Sequence, residues 1–433
     1  MSAEEVRLLA LVLVILAALL AGNIALARTL PGGEWFFLRW SAARSFLVQQ
    51  IEFSNGVRGG RIMPEAALLE LDNPVGPYST EVAQRTQELV YERRAFATEY
   101  GYVLNDPFFI LLLYMPLALI GDFAVARGIW MLLAESALVG TVLVSLNLSE
   151  WQPPRWLYAA LLLFGLFQYF SLSTLVTAAP AVLLAFLYLC ILLALRSFSD
   201  ELAGALLALV AYQWEVGGLF FLFILFFVFA NRRWEVLAGF GMALFVLLAV
   251  SFLTDSGWGL PYIRAVLSDW YRGASLTVGS ILSRWFPDIT LPLGTIVRVI
   301  LGIVLFIEWV GAVDAHFRRV VWTASLSLAA TPLMGFAIFP SNHVVLILPF
   351  ILILALVWER WQRYRTLRMI LLFLLVLLVP FAMYARVVTV YDPLVNDLIA
   401  VLPPVAAILG LYWMRWWVLR SPRIWFDRLG DRP

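Results

Sequence analysis

The chain has 433 residues, 63% of them hydrophobic and only 14% charged, with thirty basic against twenty-nine acidic groups and a net charge of +1. A soluble domain of this composition would expose large apolar patches, and a disordered chain would be far more polar, so both are excluded and lipid is the expected solvent. The balanced charge leaves no electrostatic footprint for nucleic acid.

Every basic residue is an arginine, so no lysine Schiff base and no lysine phosphate clamp exist. The single Cys190 rules out a disulfide framework and a cysteine metal site. Two histidines, His316 and His343, are too few for a His-rich centre, and neither metal nor cofactor is expected.

The first apolar run, Val6 to Ala27, follows a short acidic start and reads as a retained helix rather than a cleaved signal. A polar stretch then runs over 28–106. Trp40, Arg44 and Leu47 recur at helical spacing and predict an amphipathic helix over Trp35–Gln50. Gly56 to Gly60 read as a break and Asn73 to Pro77 as a turn. Thr80 to Arg94 predict a second polar helix capped by Ser79 or Thr80. Together they describe an ordered cap at the membrane surface.

From Pro107 the chain is nearly all apolar, with runs at 107–121, 123–147, 156–171, 173–195, 201–214, 218–230, 235–254, 291–313, 321–339, 343–358, 367–388 and 396–419. A second polar excursion, 255–290, carries Trp258, Tyr262, Trp270, Tyr271 and Trp285, rings that favour the membrane interface. Arg196, Arg232-Arg233, Arg318-Arg319, Arg360 to Arg368 and Arg415 to Arg432 mark the cytoplasmic side. The parity of crossings then fails near the start, and 156–171, short and ending in the polar Gln168 to Thr174, is the run expected to be broken or re-entrant. The expectation is an all-α polytopic membrane protein: one integral-membrane domain over 1–433, about twelve transmembrane helices, both termini cytoplasmic, and two outer loops carrying amphipathic helices.

Ionisable groups at a membrane are by default candidates for function. Glu34 directly follows the first run and Asp106 directly precedes the second. If those runs are neighbours, two carboxylates meet, raise one another's pKa and suit general-base work. Otherwise both are helix-end groups at the headgroup level. Glu215 is either a hairpin tip or a buried acid needing a partner. His343 is either a hydrogen-bonded structural residue or a ligand-binding one. Arg264 and Arg272 either hold a phosphate or meet lipid headgroups. Asn147-Leu148-Ser149 matches a glycan acceptor triplet, too short a pattern to inform.

The order of features resembles a known family. Gly32-Gly33-Glu34-Trp35-Phe36 is followed by Arg39-Trp40-Ser41-Ala42-Ala43-Arg44-Ser45-Phe46-Leu47, then Gly76-Pro77-Tyr78-Ser79, then Asp106-Pro107-Phe108-Phe109, then Ala126-Arg127-Gly128-Ile129-Trp130. Over about Pro31 to Trp130 this resembles the GT-C superfamily of integral-membrane glycosyltransferases, in particular glycosyltransferase family 87, the polyprenyl-phosphomannose-dependent mannosyltransferases and their bacterial relatives. The resemblance implies a GT-C-like helical bundle in a bacterial-type plasma membrane. It implies transfer of a hexose, mannose by preference, from a polyprenyl-phosphate donor to a glycolipid or lipid-linked glycan, with inversion. Glu34 falls where the family carries its acidic general base. Tyr78 and the first-loop helix that bears Arg44 fall on the acceptor side, with Asp106 and Glu215 among the substrate-binding positions and Arg264, Arg272 and His343 as phosphate candidates. The chain departs from the family at Ser173-Thr174, where relatives carry Gly-Gln, at Gln213-Trp214, where they carry Lys-Pro, and at Asn105-Asp106-Pro107, where they carry an aromatic followed by two prolines. The alternatives are a transporter or flippase for lipid-linked saccharides, a catalytically inactive relative, and a scaffold of an envelope assembly.

Overall fold

The computed structural model describes residues 3–59, 76–96, 99–272, 276–289, 291–360, 363–390 and 392–417. Among them every regular element is a helix. Seven helices are long and apolar enough to cross a membrane: Glu5–Thr29, Phe123–Leu148, Trp234–Thr254, Leu293–Val310, Pro340–Arg360, Arg365–Val390 and Pro393–Trp413. This fits a multi-pass membrane protein. Arg155–Phe167 and Tyr169–Thr177 make an eighth if a pair bent by 42° counts as one span. The bend falls at Gln168, whose extended backbone ends the first member, inside the run whose length and polar end predict a break.

Three further apolar runs fold as helices of 11, 16 and 17 residues, Phe108–Ala118, Ala181–Arg196 and Trp214–Ala230. At about 1.5 Å per residue these reach roughly 17–26 Å, short of a hydrocarbon core of about 30 Å. The run 173–195 does not stay whole: Ala178 turns left-handed (φ 51°) just before Pro180, and a new helix starts at Ala181. The run 321–339 leaves the α-helix at Ala330 for a 3-10 turn, Thr331–Met334.

The chain folds as two compact units. The first comprises 1–134, 175–180 and 245–274; the second comprises 135–174, 181–244 and 275–433. In the first unit, the first-loop helix runs over Glu34–Gly59, beyond the expected break at Gly56. Asn73 to Val75 of the expected turn lie outside the described residues. The second loop helix covers Thr80–Tyr91, and Glu92, left-handed at φ 55°, stops it short of Arg94. These helices bury Leu38, Ala42, Phe46 and Val82 against Leu104, Phe108, Leu111 and Trp258. Each Val, Leu or Phe of this set contributes about 1.5–3 kcal/mol on burial.

The second unit is tied by packing glycines and by ion pairs. A Cβ on Gly204 would lie 2.0 Å from the Val236 carbonyl and one on Gly239 2.3 Å from that of Glu201, so the helices Asp200–Val210 and Trp234–Thr254 meet backbone to backbone. Arginines that read as topology markers are in fact partnered. Arg233 donates to Asp200 (Nε to Oδ2 3.0 Å), and Arg318 to Glu150 (Nε to Oε1 3.0 Å). Glu308 receives Arg415 at 3.0 Å and Arg319 at 3.6 Å. A buried charge is tolerated only when so paired.

His343 is fully buried here. Its Nε2 donates to the Ala400 carbonyl (2.8 Å) and its ring meets Phe170 edge-on at 5.3 Å. Ala400 lies four residues before Pro404, which has no N–H to give, so the imidazole supplies the donor that the helix Pro393–Trp413 lacks.

Candidate functional site

Glu34 is the first residue of its helix and follows the opening helix Ala3–Thr29 by a four-residue link. That link is Leu30-Pro31-Gly32-Gly33, and its path needs both glycines, with φ of +113° and +84°. A Cβ on Gly32 would stand 2.6 Å from the Val176 carbonyl oxygen, and one on Gly33 2.8 Å from Arg127 Cδ. The Gly33 amide donates to Val176 O at 2.8 Å.

Arg127, from the start of the helix Phe123–Leu148, closes this loop. Its guanidinium donates to Leu30 O (3.0 Å), Pro31 O (3.3 Å) and Val176 O (2.9 Å) while nearly fully buried. Three carbonyls carry no formal charge, so the charge that acts on Arg127 is the carboxylate of Glu34. Gly32→Ala is expected to destabilise the fold, since a left-handed φ strains an alanine by about 1–3 kcal/mol before the contact with Val176 is added. A lowered melting temperature in detergent checks this.

The Glu34 carboxyl is half-buried, and burial pushes its pKa from the ordinary 4.5 up to about 7. Its own helix amide and the Arg127 cation pull the other way, with smaller effect. Aromatic rings gather next to it. Trp35 lies 5.5 Å from both Tyr100 and Tyr102, those two meet edge-on at 5.1 Å, and Tyr91 lies 6.0 Å from Tyr102. The Tyr102 hydroxyl is held well above its ordinary pKa, first by burial and then by the charge of Glu34. The arrangement is a half-buried carboxyl whose pKa burial raises, set beside a cluster of aromatic rings.

Asp106 does not join Glu34. It is buried against Arg39, with Arg39 Nε 2.7 Å from Oδ2 and Nη2 donating to Oδ1 at 3.1 Å, while Arg39 Nη1 donates to the Trp35 carbonyl at 2.9 Å. The raised pKa of Glu34 therefore comes from burial, not from a paired acid. Tyr78 donates its hydroxyl to the Asp106 carbonyl (2.9 Å) and packs on Tyr262 at 5.9 Å. Its pKa is strongly raised, chiefly by burial. Arg44 donates to Ala118 O at 3.2 Å and sits over the Trp40 ring, whose Nε1 donates to Leu117 O at 3.1 Å. Arg44 thus serves the Ala118 carbonyl at the end of Phe108–Ala118, and Trp40 shares the Leu117 carbonyl with the Ile120 amide.

Arg264 is exposed on the helix Gly259–Arg272. The side chain of Arg272 lies outside the described residues. Glu215, half-buried in the first turn of Trp214–Ala230, and His343 both belong to the second unit. Among the eight candidates, the structure links Tyr78 to Asp106 by a hydrogen bond and sets Glu34 in its own surroundings.

Arg39, Arg127, Trp35, Tyr100 and Tyr102 carry no role in the sequence reading. For Arg39 a signal existed: a lone cation inside the otherwise apolar Trp35-Phe36-Phe37-Leu38-Arg39-Trp40 must find an anion. No protein-family model, no curated protein and no solved structure matches this chain, so the site is read from its own geometry.

Proposed function

We propose that the chain is a membrane glycosyltransferase of GT-C type that moves a hexose, mannose by preference, from a polyprenyl-phosphate donor to a glycolipid or lipid-linked glycan. Glu34 is the general base. It takes the proton of an acceptor hydroxyl as that oxygen bonds to the anomeric carbon, and the carbon–oxygen bond to the lipid phosphate breaks with its electron pair leaving on the phosphate. Attack and departure on opposite faces invert the anomeric centre. Twelve spans, a bacterial-type plasma membrane and cytoplasmic termini belong to the same reading.

One observation carries it: the acid that follows the first apolar helix is held half-buried with a pKa of about 7, where a general base works best near neutral pH. The aromatic wall of Trp35, Tyr100 and Tyr102 supports an adjoining ligand surface. The experiment is transfer from a labelled polyprenyl-phosphate hexose by the purified full-length chain in lipid nanodiscs, followed across pH. Transfer that rises as pH passes through about 7 supports the reading, and absence of transfer with any hexose donor refutes it.

The bend at Gln168 favours a second reading, a flippase for lipid-linked saccharides, because broken helices mark transport paths. Movement of an intact labelled lipid-linked sugar across proteoliposomes, without bond cleavage, selects that reading.

A further inference from the structure

The helix Gly259–Arg272 of the first unit has two unlike faces. Its inner side packs on the fold: Ala265 is buried, Tyr262 meets Trp258 at 5.5 Å and Tyr78 at 5.9 Å, and Asp269 accepts from Asn105 Nδ2 at 3.0 Å. Leu260, Ile263, Leu267 and Trp270 follow at spacings of three, four and three, which places them on one stripe. All four are exposed, Trp270 by 82%. With 14 residues the helix is too short to span a bilayer.

We infer that this stripe is a bilayer-docking surface, seated in the headgroup layer with lipid as its occupant. The stripe's helix follows a helix long and apolar enough to cross a membrane, and the two are joined by ring contacts from Phe252 to Trp258 and from Trp258 to Tyr262. The helix Trp234–Thr254 ends with Phe252 exposed and Leu253 87% exposed, and only four residues separate it from Gly259. The charge fits as well. Arg264 is exposed beside the stripe, while the helix's single acid, Asp269, is turned inward to Asn105. An apolar stripe edged by arginine and free of carboxylates suits phosphate headgroups over acyl chains.

Docking has a structural consequence within the unit. The inner side of the same helix holds Asn105, and Tyr78, stacked on Tyr262, holds the Asp106 carbonyl at 2.9 Å. The bilayer surface thus bears on the segment that leads into the helix Phe108–Ala118. The inference stands independently of sugar transfer.

The test uses the full-length chain with Cys190→Ser, in nanodiscs of phosphatidylcholine and phosphatidylglycerol. Spin labels are placed through Ile263→Cys, Leu267→Cys and Trp270→Cys on the stripe, and through Ser256→Cys and Arg264→Cys beside it. Power saturation is expected to give a positive depth parameter, oxygen collisions exceeding those of a nickel chelate, at the three stripe sites and a negative one at the other two. Nickel-accessible stripe labels overturn the proposal by placing the stripe in water. Labels shielded from both reagents overturn it by placing protein there. Brominated phosphatidylcholine should also quench the fluorescence difference between wild type and Trp270→Phe, and an unquenched difference counts against docking.

Discussion

Glutamine in place of Glu34 is expected to lower sugar transfer by about 100- to 10,000-fold, the range that a positioned general base contributes. The substitution keeps the shape of a half-buried side chain and removes its capacity to take a proton. Wild-type transfer should rise with pH through about 7, since only the ionised carboxylate accepts the acceptor's proton. The glutamine variant's residual rate should lack that inflection. The raised value also ties stability to pH. The folded state holds this proton more tightly than the unfolded state, so the contribution is fully present below 4.5 and is lost as pH rises through about 7. The variant lacks that dependence, and melting curves at several pH values measure it separately from turnover. Equal transfer by the two proteins would remove Glu34 from the mechanism.

Asp106→Ala is expected to destabilise the protein by about 3–5 kcal/mol, because it strands a cation in the interior. The pair is closed to solvent, with side-chain exposures of 2% for Arg39 and 1% for Asp106. It joins the helix Glu34–Gly59 to the start of Phe108–Ala118, whose shared apolar core includes Leu38, Phe108 and Leu111. Arg39→Met should be equally damaging from the other side. Arg39→Met combined with Asp106→Leu should recover much of the loss, since no unpaired charge then remains buried. Denaturant unfolding in detergent of these variants, with Asp106→Leu alone to close the cycle, reads this out. Additive losses in the double variant would show that the two residues act apart.

Much of the architecture is legible in the amino-acid order because one solvent dominates it. Runs such as 235–254 and 367–388 are predominantly apolar and long enough to cross, and they fold as the continuous helices Trp234–Thr254 and Arg365–Val390. The first-loop helices are likewise visible, one from the helical spacing of Trp40, Arg44 and Leu47 and the other from its cap at Ser79 or Thr80. What spacing does not carry is partnership. Arg39 and Asp106 are 67 residues apart, and Arg318 and Glu150 are 168 apart; no periodicity joins them. Arg127 is harder still, for its partners are main-chain oxygens of Leu30, Pro31 and Val176 that have no signature in side-chain identity. The candidate site is legible to the same degree. Glu34 stands out by following the first apolar run, whereas its aromatic surroundings depend on Tyr100 and Tyr102 returning from beyond the second loop helix. The first-loop helix runs on to Gly59, past the end expected near Gln50.

The imidazole that serves the Ala400 carbonyl imposes an order on sequence drift. Were His343 lost first, an oxygen beside Pro404 would be marooned in an apolar interior. Were Pro404 replaced first, the restored amide and the imidazole could share that oxygen's two lone pairs, and the histidine would become dispensable afterwards. Lineages of this chain should therefore shed the proline before the histidine.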